Sequence, residues 1–474
     1  MPSNMSVTFL GTSSGGGPTE SRNCSSLVCD MASDSLWMVD CAEGTTRQFA
    51  LQPHSLQPRL SIQKVNKIFI THMHADHLMG VVPFLRNLLF PPPTGETTVY
   101  YTKRTVDLYG PPGLRLFVRQ NMKMTITRTS DTYRVHELLN TGDVLTPCNS
   151  VPKDDMAQMD ASQPNVMHYS ELAGSDIHPD EDGLWRNITA HQGQSSGVVA
   201  DAGPILHRDP CFGYVFTETQ YPTRKIVVLG DTYDPSAIIP LCSNPSPSLL
   251  VHEATDSHVS EHADPSGKLS RRTPVEVQQK ALARGHSVPE MAGDFAKKIG
   301  AKMLILNHIS PRFPATRHPK DFARQNIIND IEKNANEAWG FGKRCKAAYD
   351  YLRVKIPVQF EDQTQDGTAT DMQAAQPTTT SLSGAPVDVS GAHASAGNSS
   401  GHQHPQRGRG RGSHWRGGSS RDIEMLDTPR YRGGYSGSRG QWRGRGRGRV
   451  ATEDARGMSD SDNTRGGGKR QRTF

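Results

Sequence analysis

Apolar and polar positions along this chain fall into two periodicities, one fitting strands and the other helices. "SVTFLG" (6–11) is an apolar run that gives way to the polar, glycine-rich "TSSGGGPTESRN", which predicts a first strand and a loop. "SSLVC" (25–29) and "LWMVD" (36–40) are short and apolar and predict a hairpin pair. "AEGTTRQFAL" (42–51) predicts a helix, "KIFI" (67–70) a buried strand, and "HLMGVVPFLRNLLF" (77–90) a helix by its spacing. "TVYY" (98–101) predicts a strand, and "GPPGLRLFVRQNM" a turn followed by a helix. Strands return at "CFGYVFTE" (211–218), "KIVVLG" (225–230) and "SLLVHEA" (248–254). Helices follow near 274–284 and 288–299, and "KMLILNH" (302–308) is a last buried strand. Hairpins followed by strand–helix alternation, repeated in the second half, predict an α/β sandwich of four layers with helices covering two sheets. Residues 147–200 fit neither periodicity, include the acidic "GSDIHPDEDG", and read as an irregular surface insertion.

Composition divides the chain. Residues 5–358 read as one globular domain, whereas from Glu361 the apolar residues nearly vanish in favour of Gly, Ser, Thr, Gln, Asp and Arg. Such a segment cannot bury enough surface to offset its ordering entropy, so 361–474 are expected to be a disordered tail. The tail accounts for much of the low mean hydropathy of −0.59. The formal net charge of +5 is modest, but the tail gathers its positive charge in arginine clusters. Seven cysteines without a CxxC pair give no disulfide framework and point to a reducing compartment. The opening "MPSNMSVTFLG" has no pattern of a secretory leader, and no apolar run is long enough to span a membrane.

The densest chemistry lies in "ITHMHADHLMG" (70–80), where His72, His74, Asp76 and His77 gather as a strand ends. Residues two apart in extended chain face the same way, so His72 and His74 can reach one ion. Asp76 and His77 open the following helix and can serve a neighbouring position. Imidazole and carboxylate together suit zinc. Further donors stand at the ends of later strands: His207 before "CFGYVFTE", Asp231 after "KIVVLG" and His308 closing "KMLILN". Strand ends are where α/β folds build sites. His191, in "NITAHQGQSSG", rivals His207 but lacks an evident strand beside it.

HxHxDH, a later His, "GDT" and a final His resemble the metallo-β-lactamase superfamily. The resemblance implies an αββα four-layer sandwich with two zinc ions between the sheets, manganese being the alternative metal. His72, His74 and His207 would bind the first ion, Asp76, His77 and His308 the second, and Asp231 would bridge them. Paired metals suit hydrolysis at phosphorus.

Further stretches resemble tRNase Z, the endonuclease that removes 3′ trailers from precursor tRNA. "PTESRN" (18–23) resembles its PxKxRN loop, with Glu20 in place of Lys, and implies that Arg22 and Asn23 contact phosphate or the terminal nucleotide. "VHEATDSH" (251–258) resembles its HEAT motif, and "ARGHSVPEMAGDFAKKIGAKMLILNHISPRF" (283–313) its GHST…HFSPRY block. The resemblance implies that His286 protonates the leaving 3′ oxygen, Glu253 orients and charges it, and Asp76 doubles as ligand and base. "MVDCAEGTTRQ" (38–48) resembles another family block, in which Asp40 either supports the site or caps the next helix. The resemblance spans roughly 5–320, has the length of the short form and implies a homodimer. One departure stands out: the family's Gly- and Lys-rich arm, which grips the tRNA elbow, falls between the equivalents of His207 and Asp231. Here that interval has room for one hairpin only.

"QRGRGRGSHWRGGSSRD" (406–422) and "YRGGYSGSRGQWRGRGRGRV" (431–450) are RG/RGG repeats. Arg407, Arg409, Arg411, Arg416, Arg443, Arg445 and Arg447 with Trp415 and Trp442 fit loose RNA binding through phosphate contact and stacking. A plain solubilising tail is the other reading. "KRQR" (469–472) has the composition of an import signal, so the nucleus, the cytoplasm or both are expected. The leading expectation is therefore a zinc-dependent endoribonuclease acting on precursor tRNA, with other RNA held by the tail and no membrane. The alternatives are a phosphodiesterase on small substrates such as cyclic nucleotides, and a non-catalytic RNA-binding protein.

Overall fold

A computed structural model of the chain describes residues 5–31, 35–90, 103–149, 155–192 and 197–358. The chain divides into two units, 1–372 and 373–474, and all described residues lie in the first. The expected tail and its RG repeats lie outside the described residues.

Among the described residues, the first half builds one mixed sheet from β1 (Met5–Gly11), β2 (Ser26–Asp30), β3 (Leu36–Val39), β4 (Val65–Phe69), β5 (Thr105–Gly110), β6 (Thr132–Leu138), β7 (Glu171–Leu172) and β8 (Asp176–Ile177). The second half builds another from β9 (Trp185–Gln192), β10 (Gly197–Ile205), β11 (Cys211–Glu218), β12 (Lys225–Leu229), β13 (Leu249–Glu253), β14 (Leu304–Asn307) and β15 (Lys346–Ala347). A last strand, β16 (Arg353–Ile356), returns to pair with β1. Both sheets follow one plan. β1–β3 and β9–β12 pair antiparallel, and β3–β6 and β12–β15 then pair parallel. The parallel steps need crossovers, and helices supply them.

Four layers follow from where the apolar faces go. Trp37, Phe69, Tyr109, Tyr214 and Phe216 pack between the sheets, with Phe69 lying 5.1 Å from Phe216 and 5.2 Å from Tyr214 across the interface. Such buried rings stabilise the sandwich by roughly 1.5–3 kcal/mol each. The outer face of the first sheet is covered by α1 (Thr45–Ala50), α2 (Ala75–Leu78), α3 (Val81–Leu88) and α4 (Leu114–Met124). α5 (Asp155–Met159) lies in the segment that follows. The second sheet is covered by α6 (Ile239–Cys242), α8 (Pro289–Lys298) and α9 (Phe322–Trp339), while α7 (Pro274–Leu282) packs on Val288. This is the αββα sandwich of the metallo-β-lactamase fold.

Two local expectations need correction. The helix foreseen over 77–90 is two helices, because Gly80 passes against the loop after β3; a Cβ there would lie 1.9 Å from Ala42 O. Residues 185–192 and 197–200 are not insertion but belong to β9 and β10, strands of the second sheet. A bulge at Asn187 (φ 52°), whose N–H donates to Asp201 Oδ1, breaks the alternation that marks a strand. The expected "TVYY" strand lies outside the described residues, and β5 starts at Thr105. α9 and β16 were not foreseen at all.

The remaining insertion is pinned rather than loose. Arg115, Arg119 and Lys123 form one stripe of α4, each a turn beyond the last, and all three are buried. Arg115 pairs with Asp176 at 2.8 Å, Arg119 pairs with Glu171 at 2.7 Å, and Lys123 Nζ donates to Asp160 O and Gln163 O. The acidic character of the segment thus answers a basic helix face.

Candidate metal centre

The parallel strands of both sheets deliver their carboxyl ends to the same edge of the sandwich. Asp40 follows β3, the histidine run follows β4, Asp231 follows β12, Glu253 ends β13 and His308 follows β14. His207 lies between β10 and β11. Asp40 and His308 both hold positive φ, 58° and 53°. Non-glycine residues in that region cost of order 1–3 kcal/mol and concentrate at functional sites.

Two donor groups result. His72, His74, His207 and Asp231 offer ligand atoms that all lie within 4.8 Å of one another, and so do Asp76, His77 and His308. His72 Nε2 is 2.9 Å from His74 Nδ1, and His207 Nε2 is 3.4 Å from that same Nδ1. His77 Nε2 is 3.2 Å from His308 Nε2, which is 3.3 Å from Asp76 Oδ2. Asp231 faces both groups: its Oδ2 lies 3.7 Å from His72 Nε2, and its Oδ1 lies 3.5 Å from His77 Nε2 and 3.2 Å from His308 Nδ1.

The outward nitrogens are engaged, which fixes which atom of each ring turns inward. His77 Nδ1–H donates to Asp40 Oδ2 at 2.7 Å, His207 Nδ1–H to Gly285 O at 2.6 Å, and His74 Nε2–H to Asp209 Oδ2 at 2.7 Å. The Thr71 hydroxyl lies 3.0 Å from Asp40 and 3.1 Å from His72 Nδ1. Asp40 therefore supports the site and does not cap α1, whose N-cap is Gly44. Inward nitrogens this close, with no hydrogen to share among three of them, fit a cation between them. The imidazole and carboxylate donors are those that zinc takes.

Charge follows the same plan. Burial pushes the His72 and His207 imidazoles below their ordinary pKa, so both stay neutral and able to ligate. Burial alone would raise the Asp231 pKa, but His308 and His77 outweigh it and hold the carboxyl well below the usual range. Asp76 is likewise held low by His308 and His77 against its own burial.

His286 Nδ1 lies 3.0 Å from Glu253 Oε1 and 3.7 Å from Asp231 Oδ2. Burial opposes its charging, yet Glu253 and Asp231 raise its pKa above the ordinary value. Glu253 is anchored in turn by Thr232 N–H at 2.8 Å and the Thr255 hydroxyl at 2.5 Å. Gly285, at φ 78°, permits this approach: a Cβ there would lie 2.7 Å from His207 Nδ1.

Two expected residues serve elsewhere. Arg22 is buried, and its guanidinium donates to Ala348 O at 2.6 Å, Thr12 Oγ1 at 2.9 Å and Phe313 O at 3.2 Å. Asn23 Nδ2 donates to Glu43 O at 3.0 Å. The expected phosphate contacts of Arg22 and Asn23 are therefore corrected: with these donors committed to the protein, both residues hold the loop. Glu20 completes that lock by pairing with Arg317 and Arg324. His191 lies in β9, and its side chain is outside the described residues.

Sequence reasoning passed over the walls of the site. A cavity of about 220 Å³ over the centre is lined by His74, Asp76, His286 and His308 together with Arg208, Lys280, Arg284 and Arg312. The signal was there: Arg208 directly follows His207, and Lys280 and Arg284 are four apart on the way to His286. α7 is started by a capping box in which Thr273 and Glu276 bond each other's backbone, so Lys280 is delivered by a well-defined helix. Residues 207–231 hold β11, β12 and a turn, with no arm.

Comparison with known proteins bears on this arrangement. The family model of the anti-Pycsar protein Apyc1 matches residues 5–141. Zinc phosphodiesterase ELAC protein 1 of Homo sapiens is 26% identical over 414 residues, covering 75% of this chain and 99% of that protein. The crystal structure of human tRNase Z, short form (ELAC1), aligns at 27% identity and a TM-score of 0.49, covering 75% of this chain and 100% of that one. Ribonuclease Z of Streptococcus suis (strain 98HAH33) is 31% identical over 360 residues, covering 69% of this chain and 99% of that protein. With that identity extending over nearly the whole of the streptococcal relative, the chain belongs to the ribonuclease Z family.

Proposed function

We propose that the protein is a zinc-dependent endoribonuclease that removes 3′ trailers from precursor tRNA by phosphodiester hydrolysis. The observation that carries this reading is Asp231, which turns one carboxylate oxygen to each of two histidine groups beneath a cavity walled by arginine and lysine. The donor sets suit zinc, and His72, His74, His207 and Asp231 would hold one ion while Asp76, His77 and His308, with Asp231 beside them, would hold a second. When bound, the ions supply Lewis acidity toward the phosphate and make water acidic enough to attack.

The chain's own groups do the rest. Asp76 Oδ2, fixed by the Gly15 N–H at 2.7 Å, is placed to take the proton of the attacking water. His286, kept protonated by Glu253, gives its proton to the departing 3′ oxygen, which leaves as a hydroxyl; the trailer keeps the 5′ phosphate. Arg208, Lys280, Arg284 and Arg312 receive backbone phosphates. Seven free cysteines, six of them buried, accord with a nuclear or cytoplasmic location. The arginine–glycine tail supplies further RNA affinity, and pairing as a homodimer follows the short-form pattern.

A second reading, hydrolysis of small phosphodiesters, is favoured by the short turn between β11 and β12 where the family carries its arm. One assay separates them: purified protein with zinc, given a 3′-extended precursor tRNA and bis-(p-nitrophenyl) phosphate, beside Asp76→Ala. The proposal expects a single cut in the precursor, absent in the variant. Hydrolysis of the small diester alone moves the assignment to the second reading, and hydrolysis of neither leaves an RNA-binding protein.

A further inference from the structure

A second cavity opens on the other side of His74. It measures about 270 Å³ and is lined by Met73, His74, Pro111, Pro112, Asp209 and Pro210. His74 is a wall of this cavity and of the cation-lined one, so the two meet at the metal centre. Their chemistry differs. The first holds four cationic side chains beside the carboxylates of Asp76, Asp231 and Asp256, whereas the second holds no Lys or Arg and has Asp209 in its wall.

We infer that this second cavity receives a nucleobase, that of the first trailer nucleotide, whose 5′ phosphate is the one being cut. The inference rests on the RNA-cleaving reading above. A phosphate is excluded from the cavity by the absence of cations and by Asp209. Three prolines present pyrrolidine faces with no N–H, and a thioether joins them, a surface suited to the face of an aromatic ring. The volume lies just below the range of small-ligand pockets, roughly 300–1,000 Å³, which suits a single base. Asp209 uses Oδ2 for His74 and accepts N–H groups from a base edge with its other oxygen, as carboxylates do with amino groups of bases.

Direction follows from His286. It lines the cation-walled cavity, so the nucleoside leaving through its 3′ oxygen lies on that side. The 5′ oxygen that carries the trailer is a separate substituent of the same phosphorus, neither the leaving oxygen nor in line with it, so the trailer runs off in its own direction, and the cavity of Met73 and the prolines adjoins the centre to receive it. Met73 lies between His72 and His74 in sequence and is partly buried, while Pro210 is exposed.

The test uses the full chain and precursor tRNAs identical except at the first trailer nucleotide, which carries either a base or an abasic sugar. For the unmodified protein, kcat/KM is expected to fall about tenfold on the abasic precursor, in line with the worth of stacking one base. In Met73→Ala, and in Pro210→Gly at an exposed position, the ratio between the two precursors is expected to shrink toward one. Equal cutting of both precursors by the unmodified protein overturns the inference and leaves the tRNA reading intact. Variants that slow both precursors equally, keeping the ratio, also overturn it, since they mark a structural role. Failure to cut any precursor removes the tRNA reading and this inference with it.

Discussion

Asp40 Oδ2 accepts a hydrogen bond from His77 Nδ1 at 2.7 Å, and through it β3 orients a donor that the β4–α2 segment supplies. Asp40 also receives the Thr71 N–H at 2.8 Å, so one carboxylate fixes the start of the histidine run and its end. Groups in this position commonly govern metal affinity by about 10–100-fold. Asp40→Ala is expected to weaken zinc binding by that factor while the α/β circular dichroism stays unchanged. Competition with a zinc chelator measures it, and an affinity equal to that of the unmodified protein would remove Asp40 from the account.

The His286–Glu253 pair gives the activity a pH dependence of stated sign. A general acid works when protonated, and Glu253 and Asp231 raise the His286 pKa, so activity persists above the ordinary histidine range and is lost as pH rises through the raised value. Glu253→Gln removes the first charge that raises it, so the alkaline limb of kcat is expected to move to lower pH. His286→Ala is expected to lower kcat by about 10²–10⁴-fold and to abolish the limb. A limb unmoved in Glu253→Gln would place the acid elsewhere.

The histidine run, Asp231 and His308 were legible because each stands where an apolar strand stops, and both periodicity and residue type mark those points. The supporting contacts were not. Asp40 and His77 are neighbours only because β3 and β4 pair in parallel, a relation that no local pattern encodes. Arg22 misled for a related reason: loop position suggested exposure, but the chain folds it beneath Phe313 and Ala348 from the far end of the domain. α9 could have been found. Its buried Ile328, Ile331, Ala335 and Trp339 recur at spacings of three and four, though the polar residues between them hide the stripe. β9 could not, because its bulge erases the alternation.

The cations over the centre have a salt signature. Lys280 and Arg284 belong to the cavity wall, so replacing either with Ala is expected to raise KM for precursor RNA and to reduce the slope of log(kcat/KM) against log[salt] by about one per lost contact. Turnover of bis-(p-nitrophenyl) phosphate, which has no neighbouring phosphates, is expected to change little. Equal losses on both substrates would show that these residues act on the centre rather than on the RNA backbone.

The pinned insertion makes a prediction about stability. Arg119 holds Glu171 with both a 2.8 Å and a 2.7 Å bond, and both side chains are buried. Arg119→Ala leaves a buried carboxylate unpaired and is expected to cost about 3–5 kcal/mol, read by urea unfolding. Arg119→Lys is expected to recover only part of it, because a single ammonium cannot reproduce the bidentate pair. Limited proteolysis between 155 and 184 should appear in the Ala variant first, as the segment loses its anchor. A loss below about 1 kcal/mol would mean that the α4 stripe does not hold the insertion.

The central claim is that Asp231 joins two metal sites into one hydrolytic centre, and counting metal against activity tests it most directly. Zinc is returned stepwise to chelator-stripped protein, with bound zinc measured by mass spectrometry and precursor cleavage measured in the same samples. The account predicts two zinc ions per chain, with cleavage rising as the second site fills, and loss of both ions and activity in Asp231→Ala. Full cleavage at one zinc per chain, or an Asp231→Ala protein that keeps two ions and cuts normally, would contradict it.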